Sequence, residues 1–144
     1  MDMKLELVVL PVTDVDRAKE FYESAGFRLD VDHRAGDAFR VVQLTPPQSE
    51  CSIAFGIGVG MTQSTPGSVQ GLHLVVTDIE QARGDLVDRG VNVSEPFHFG
   101  AEGQTSGVHP ERENYGSFAT FNDPDGNGWL LQEVGHRNQS GSDD

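Results

Sequence analysis

The sequence predicts an α+β fold: two tandem βαβββ modules whose curved mixed sheets enclose a cavity. Three observations carry that prediction. One segment recurs at an offset of 64 residues, Asp78 against Asp14; each copy reads as strand, capped helix and return strand; and each is followed by two further β-rich runs bounded by turn-formers. The copies are L-P-V-T-D-V-D-R-A-K-E-F-Y-E-S-A-G-F-R-L, residues 10–29, and L-V-V-T-D-I-E-Q-A-R-G-D-L-V-D-R-G-V-N-V, residues 74–93. They are identical at Leu10/Leu74, Val12/Val76, Thr13/Thr77, Asp14/Asp78, Ala18/Ala82 and Gly26/Gly90.

In the first copy the β-rich run up to Val12 gives a strand, and Asp14 is placed to cap a helix by accepting from its first amides. Val15, Ala18, Phe21, Tyr22 and Ala25 recur at spacings near three and four, one apolar helix face. Gly26 suits the left-handed stop, and a return strand follows, ending before His33 in D-V-D-H-R. Residues 38–45 and 51–56 read as strands separated by Pro46-Pro47, and the Gly, Ser, Thr and Pro of residues 56–68 make a connection.

In the second copy Asp78 caps, Ile79, Ala82, Leu86 and Val87 form the apolar face, and Gly90 stops the helix. After the return strand, H-F-G-A-E-G-Q-T-S-G-V-H-P-E-R-E-N-Y (residues 98–115) reads as a long loop fit to cover a cavity mouth. Residues 116–122 and 129–134 read as strands across D-P-D-G-N-G. One short helix cannot cover both faces of a sheet, so the helices take one face and the others curve around a cavity, the default binding site. The expected organisation is a single domain over 1–134, with module one at about 4–56, a linker at about 57–69 and module two at about 70–134. The tail, residues 135–144, has no apolar side chain and is expected to be disordered.

Length and charge bound the function. A chain of 144 residues makes one average domain. Its 23 acidic and 10 basic residues give a net charge of -13, which argues against nucleic acid, whose phosphates require clustered cations. Cys51 is the only cysteine, so neither an internal disulfide nor a thiolate metal cluster can form. With no basic segment leading into an apolar run, and no run near the ~18 residues of a membrane span, a soluble, cytoplasmic protein is expected.

The repeat, the V-T-D that precedes each helix, the A-G-F and R-G-V that follow, and D-P-D-G-N before the last strand together resemble the vicinal oxygen chelate superfamily: glyoxalases, extradiol dioxygenases and metal-free bleomycin-resistance proteins. The resemblance covers roughly residues 5–134 and implies the glyoxalase-like fold, while members differ in chemistry. It also implies a divalent metal held by His, Glu or Gln, one from the first and fourth strand of each module. In this chain those positions fall on Leu7, Ala54, Gly71 and Leu130, none of which can ligate.

His73 and Gln132 each lie two residues beyond an empty position, so strand alternation puts them on the same face as the lost ligands. They are the candidates if a displaced metal site exists, but the matching positions in module one are Val9 and Gly56, and two neutral ligands make a weak site for a hard cation. His73 reads either as a lining imidazole satisfied by Gln132 or a neighbouring strand, or as a catalytic acid, base or ligand donor. Leu7, Val9, Val75 and Leu130 are expected as walls, with His73, Gln132, Arg40 and Tyr115 as ligand-binding polar groups. Phe39, Phe55 and Phe118 are further wall candidates, the loop can deliver Glu102, His109, Arg112 and Tyr115, and His98 and His109 read as surface residues of that loop. Glu133 has the opposite parity and is expected on the helix side or the rim.

The leading expectation is a metal-independent protein that binds a small, largely apolar or aromatic molecule, with no cofactor. The alternatives are a metal-dependent lyase, isomerase or dioxygenase recruiting His73 and Gln132, and a metal-free enzyme using His73. The resemblance also implies a homodimer.

Overall fold

Both repeated aspartates cap helices. In the computed structural model, which describes residues 1–58 and 64–136, the Asp14 carboxylate accepts from the Arg17 amide at the start of α1 (Val15–Ser24), and Asp78 accepts from Gln81 at the start of α2 (Ile79–Asp88). Each such cap contributes about 1 kcal/mol. Both helices stop at a left-handed glycine, Gly26 (φ 103) and Gly90 (φ 90), as the sequence requires. Residues 59–63 of the linker and 137–144 of the tail lie outside the described residues.

The chain divides into two compact units, Met1–Gln70 with Asp123–Asn127, and Gly71–Asn122 with Gly128–Asp144. The first contains β1 (Leu7–Val9), α1, β2 (Arg28–Ala35), β3 (Phe39–Thr45) and β4 (Ser52–Ile57), in the sheet order β1-β4-β3-β2. β1 runs parallel to β4 and the other pairs are antiparallel, so the sheet is mixed. On the side facing α1, Val42, Leu44, Ile53 and Phe55 are buried, and Tyr22 sits at ring distances of 5.0, 5.2 and 5.9 Å from Phe21, Phe27 and Phe55. Pairs of this kind contribute about 0.5–1.5 kcal/mol each beyond burial. The Tyr22 hydroxyl donates to Asp123 (2.8 Å), so its one polar atom is satisfied inside the core.

One position in this sheet leaves no room for a side chain. Gly56 on β4 is paired with Val41, and a Cβ there would lie 1.9 Å from the carbonyl oxygen of Arg40. Backbone cannot move aside as a flexible side chain can, so we expect Gly56→Ala to destabilise the protein by roughly 2–3 kcal/mol, read from the urea midpoint at unchanged slope.

The second unit contains β5 (Leu72–Val76), α2, β6 (Phe97–Gly100), β7 (Gly103–Ser106), β8 (Phe118–Asn122) and β9 (Gly128–Glu133), in the order β5-β9-β8-β6-β7. β5 is parallel to β9. The expected βαβββ order holds in the first unit, but here it is modified. Val91 and Val93 are buried as their alternation implies, yet the return segment forms no strand; Ser94 alone donates to the Thr120 carbonyl. The strand pairing passes instead to the β6–β7 hairpin, which occupies part of the expected loop. Similarly, His33 lies within β2 rather than after it, with its ring 6.2 Å from Phe39. No helix among the described residues is long and apolar enough to cross a membrane.

Candidate functional site

Register decides which side chains share a face. Leu72, His73, Leu74, Val75 and Val76 of β5 pair in order with Trp129, Leu130, Leu131, Gln132 and Glu133 of β9. Paired residues lie on one side of a sheet and neighbours along a strand alternate. Leu72, Leu74, Trp129, Leu131 and Glu133 therefore share the helix side, where Trp129 stacks on Phe121 at 6.0 Å. His73, Val75, Leu130 and Gln132 share the open side.

β8 brings Phe118 and Thr120 to that open face, opposite Gln132 and Leu130. β6 adds Phe97, paired with Phe118, and Phe99 by alternation. Phe97 stacks on Phe118 (5.7 Å), while Phe99 meets Phe97 edge-on at 6.0 Å and Phe118 at 5.5 Å. Phe99 remains 59% exposed and Val75 58%. A contiguous apolar surface of this kind, carrying a few polar groups, marks a binding site more often than an idle surface.

The polar groups are His73 and Gln132. His73 is exposed, and its Nδ1–H donates to the Gly71 carbonyl (2.7 Å), which leaves Nε2 as the acceptor in the neutral ring. Gln132 Nε2 donates to the Tyr115 carbonyl at 3.2 Å. Because His73 is paired with Leu130 and Gln132 with Val75, the two polar residues are diagonal neighbours. Such an arrangement orients a ligand's donors over an apolar bed, and Nε2 can also take a proton.

The other expected site residues lie elsewhere. Leu7 and Val9 are on β1 of the first unit, paired with Ser52 and Ala54. Arg40, expected to bind ligand, is on the α1 side instead. Its guanidinium reaches Asp16 (2.7 Å) and Asp32 (3.0 Å), and Asp32 also accepts from Lys19 (2.8 Å). Arg40 first and Lys19 second hold the Asp32 carboxyl well below the ordinary carboxylate range. Phe55 likewise packs near Tyr22 and is not a wall of an open face. His98 is a buried residue of β6 rather than a surface loop group, donating from Nδ1 to the Gly107 carbonyl at 2.8 Å. Tyr115 is exposed at the margin of the open face.

The donor set does not fit the family's metal. Leu7, Ala54 and Leu130 have no ligating atom, and Gly71 precedes β5 with φ 82. Among the described residues, Asp78, Glu133 and His136 bring possible ligand atoms within 4.8 Å of one another. They lie on the helix side, however, and a guanidinium already holds the place: Arg112 Nη2 is 2.6 Å from Glu133 and 3.8 Å from Asp78.

The sequence puts Glu133 on the helix side or the rim and gives no sign of its partner Arg112. Glu133 is fully buried; Oε1 accepts from Arg112 Nε (2.8 Å), and Oε2 from Arg112 Nη2 and the Ile79 amide (2.9 Å). Burial pushes its carboxyl up, but the Arg112 and Ile79 donors together outweigh burial and leave it below its ordinary value. The usable signal was a carboxylate between buried strand residues, which demands a cation from somewhere. Phe97 and Phe99 were also missed, although the alternation in F-H-F marks them as one face.

A family model described as Glyoxalase/Bleomycin resistance protein/Dioxygenase superfamily matches residues 4–131. None of the curated proteins compared matches the chain. Among solved structures, TnmS3, an antibiotic binding protein from Streptomyces sp. CB03234, is 29% identical over 92% of this chain and 97% of its own, with a TM-score of 0.68. A glyoxalase/bleomycin resistance protein from the same source is 30% identical over 90% of this chain and 100% of its own, at 0.66. A superfamily member from Sphaerobacter thermophilus DSM 20745 is 27% identical over 92% and 98%, at 0.67.

Proposed function

The chain belongs to the glyoxalase/bleomycin resistance protein/dioxygenase superfamily, and from that premise we propose that it binds a small, largely apolar or aromatic molecule without a divalent metal. The observation that carries the proposal is the open face of the second sheet, where Phe97, Phe99 and Phe118 make an aromatic bed beside Val75, Leu130, His73 and Gln132. Planar ligands gain both area burial and ring geometry on such a bed. The antibiotic-binding description of TnmS3, at 29% identity, supports a small-molecule ligand. Metal independence is supported by Leu7, Ala54, Gly71 and Leu130 at the positions where the superfamily's enzymes carry ligands. His73 orients the ligand through Nε2.

A thermal-shift screen of planar aromatic and cationic compounds tests this reading. A ligand at a hundred times its Kd adds about 2.7 kcal/mol and raises Tm by a few degrees, and Phe118→Ala should weaken that ligand roughly tenfold. A screen with no stabiliser counts against binding. Stoichiometric metal in the purified protein, lost in His73→Ala, would replace this reading with metal-dependent chemistry at a displaced site.

A further inference from the structure

The loop between β7 and β8, residues 107–117, ends at the margin of the open face, and it is fastened from both sides of the sheet. On the helix side, Arg112 reaches Glu133 through Nε and Nη2 in the two-pronged geometry that fixes direction as well as distance. Its Nη1 donates to Glu80 (3.0 Å), and the same Glu133 carboxylate accepts the first amide of α2, that of Ile79. Along the strand, the Tyr115 amide donates to the Glu133 carbonyl (2.8 Å), and the Gly135 amide to the Asn114 side chain (2.7 Å). On the open side, the Gln132 amide donates to the Tyr115 carbonyl.

Two residues of this loop, Arg112 (φ 51) and Tyr115 (φ 64), occupy the left-handed region without being glycine. Such residues persist only where their surroundings over-determine them. Here the surroundings are the ring of bonds around Glu133 and Gln132. Severing the Arg112 end removes the strongest of those bonds, since both partners are ionised.

We propose that Arg112 and Glu133 act as a positioning latch for ligand binding: the ion pair on the helix side fixes residues 112–115, and so fixes Tyr115 and the amide of Gln132 beside the aromatic bed. The latch rests on the binding role assigned above to the open face. It makes Arg112, whose guanidinium lies across the sheet from that face, a determinant of affinity.

Nile red, a neutral aromatic dye, provides the probe, with its fluorescence titrated against the full chain well below the unfolding temperature. Arg112→Gln and Tyr115→Ala should each weaken dye binding about tenfold, and the double variant should be no weaker than either single, because the latch acts through the placement of the Tyr115 side chain, while alanine keeps the backbone bonds of that residue. Arg112→Lys keeps the charge but not the fork and should fall between. Hydrogen exchange at the Tyr115 amide should accelerate in Arg112→Lys before the β9 amides do. If Arg112→Gln does not fold, the Arg112→Lys titration and exchange decide alone. Independent, additive losses overturn the latch, as does an Arg112→Lys protein with wild-type affinity and exchange. Phe118→Ala separates the two levels: dye binding that needs Phe118 but neither Tyr115 nor Arg112 refutes the latch only, while binding that ignores Phe118, or no binding, refutes the face and the latch with it.

Discussion

Glu133→Ala should destabilise the protein by about 3–5 kcal/mol. The substitution strands two groups at once: the Arg112 guanidinium loses its bidentate partner, and the Ile79 amide at the start of α2 loses its acceptor. Breaking the pair from one side leaves the Arg112 charge only the more exposed Glu80 and Asp78, and the Ile79 amide no side-chain acceptor, which is why the loss exceeds the net value of the pair itself. Glu133→Gln keeps an acceptor for Ile79 but gives up the charge, and a loss of roughly 2–3 kcal/mol is expected. Acid supplies an independent check. The folded-state pKa of Glu133 is depressed from 4.5, so its contribution is fully present above that value and is lost as pH falls through the lower folded-state value. Asp30 and Asp32 are depressed too, Asp30 by Thr45 and then Arg28, and they act equally in wild type and variant. The difference in urea stability between wild type and Glu133→Gln should therefore shrink as pH falls below 4.5. A constant difference across that range would show that the carboxylate's charge is not what holds α2 and the loop.

Asn127→Ala is the second large effect, at about 3 kcal/mol or more. Asn127 is fully buried in the turn after β8, and its side chain donates to the Pro11 carbonyl (3.0 Å) and to Asp123 (2.8 Å) while accepting from the Val69 amide (3.2 Å). Alanine leaves a backbone carbonyl and a backbone amide without this partner, at about 1–3 kcal/mol each. The effect should spread through Asp123, which also accepts from the Tyr22 hydroxyl and from the amides of Asp125 and Asn127. A loss below about 1 kcal/mol in urea unfolding would mean that water replaces the amide and that the turn is not a structural centre.

These two residues also mark what sequence could and could not reveal. The turn was legible because D-P-D-G-N-G announces a reversal locally, and the helices because Asp14, Asp78, Gly26 and Gly90 act on their own neighbours. His73 and Gln132 were placed on one face by alternation alone, since a strand's period fixes parity. Arg40 and Glu133 were harder. Each is an ionised residue on a helix-side face, and its place depends on partners far along the chain: Asp16 lies 24 residues from Arg40, and Arg112 lies 21 from Glu133. The return segment after Gly90 failed for another reason. Its valines alternate as a strand's do, but alternation records burial and not hydrogen bonding, and the ladder formed at Phe97 instead.

Gly71 bears on what a metal ligand at the entry to β5 would require. Its φ of 82 is a conformation that a histidine or glutamate adopts only under strain. Installing a ligand there by one substitution would therefore burden the backbone before any cation could repay it, and three further positions would still be bare. A designer seeking to place an ion there must first re-register the entry to β5.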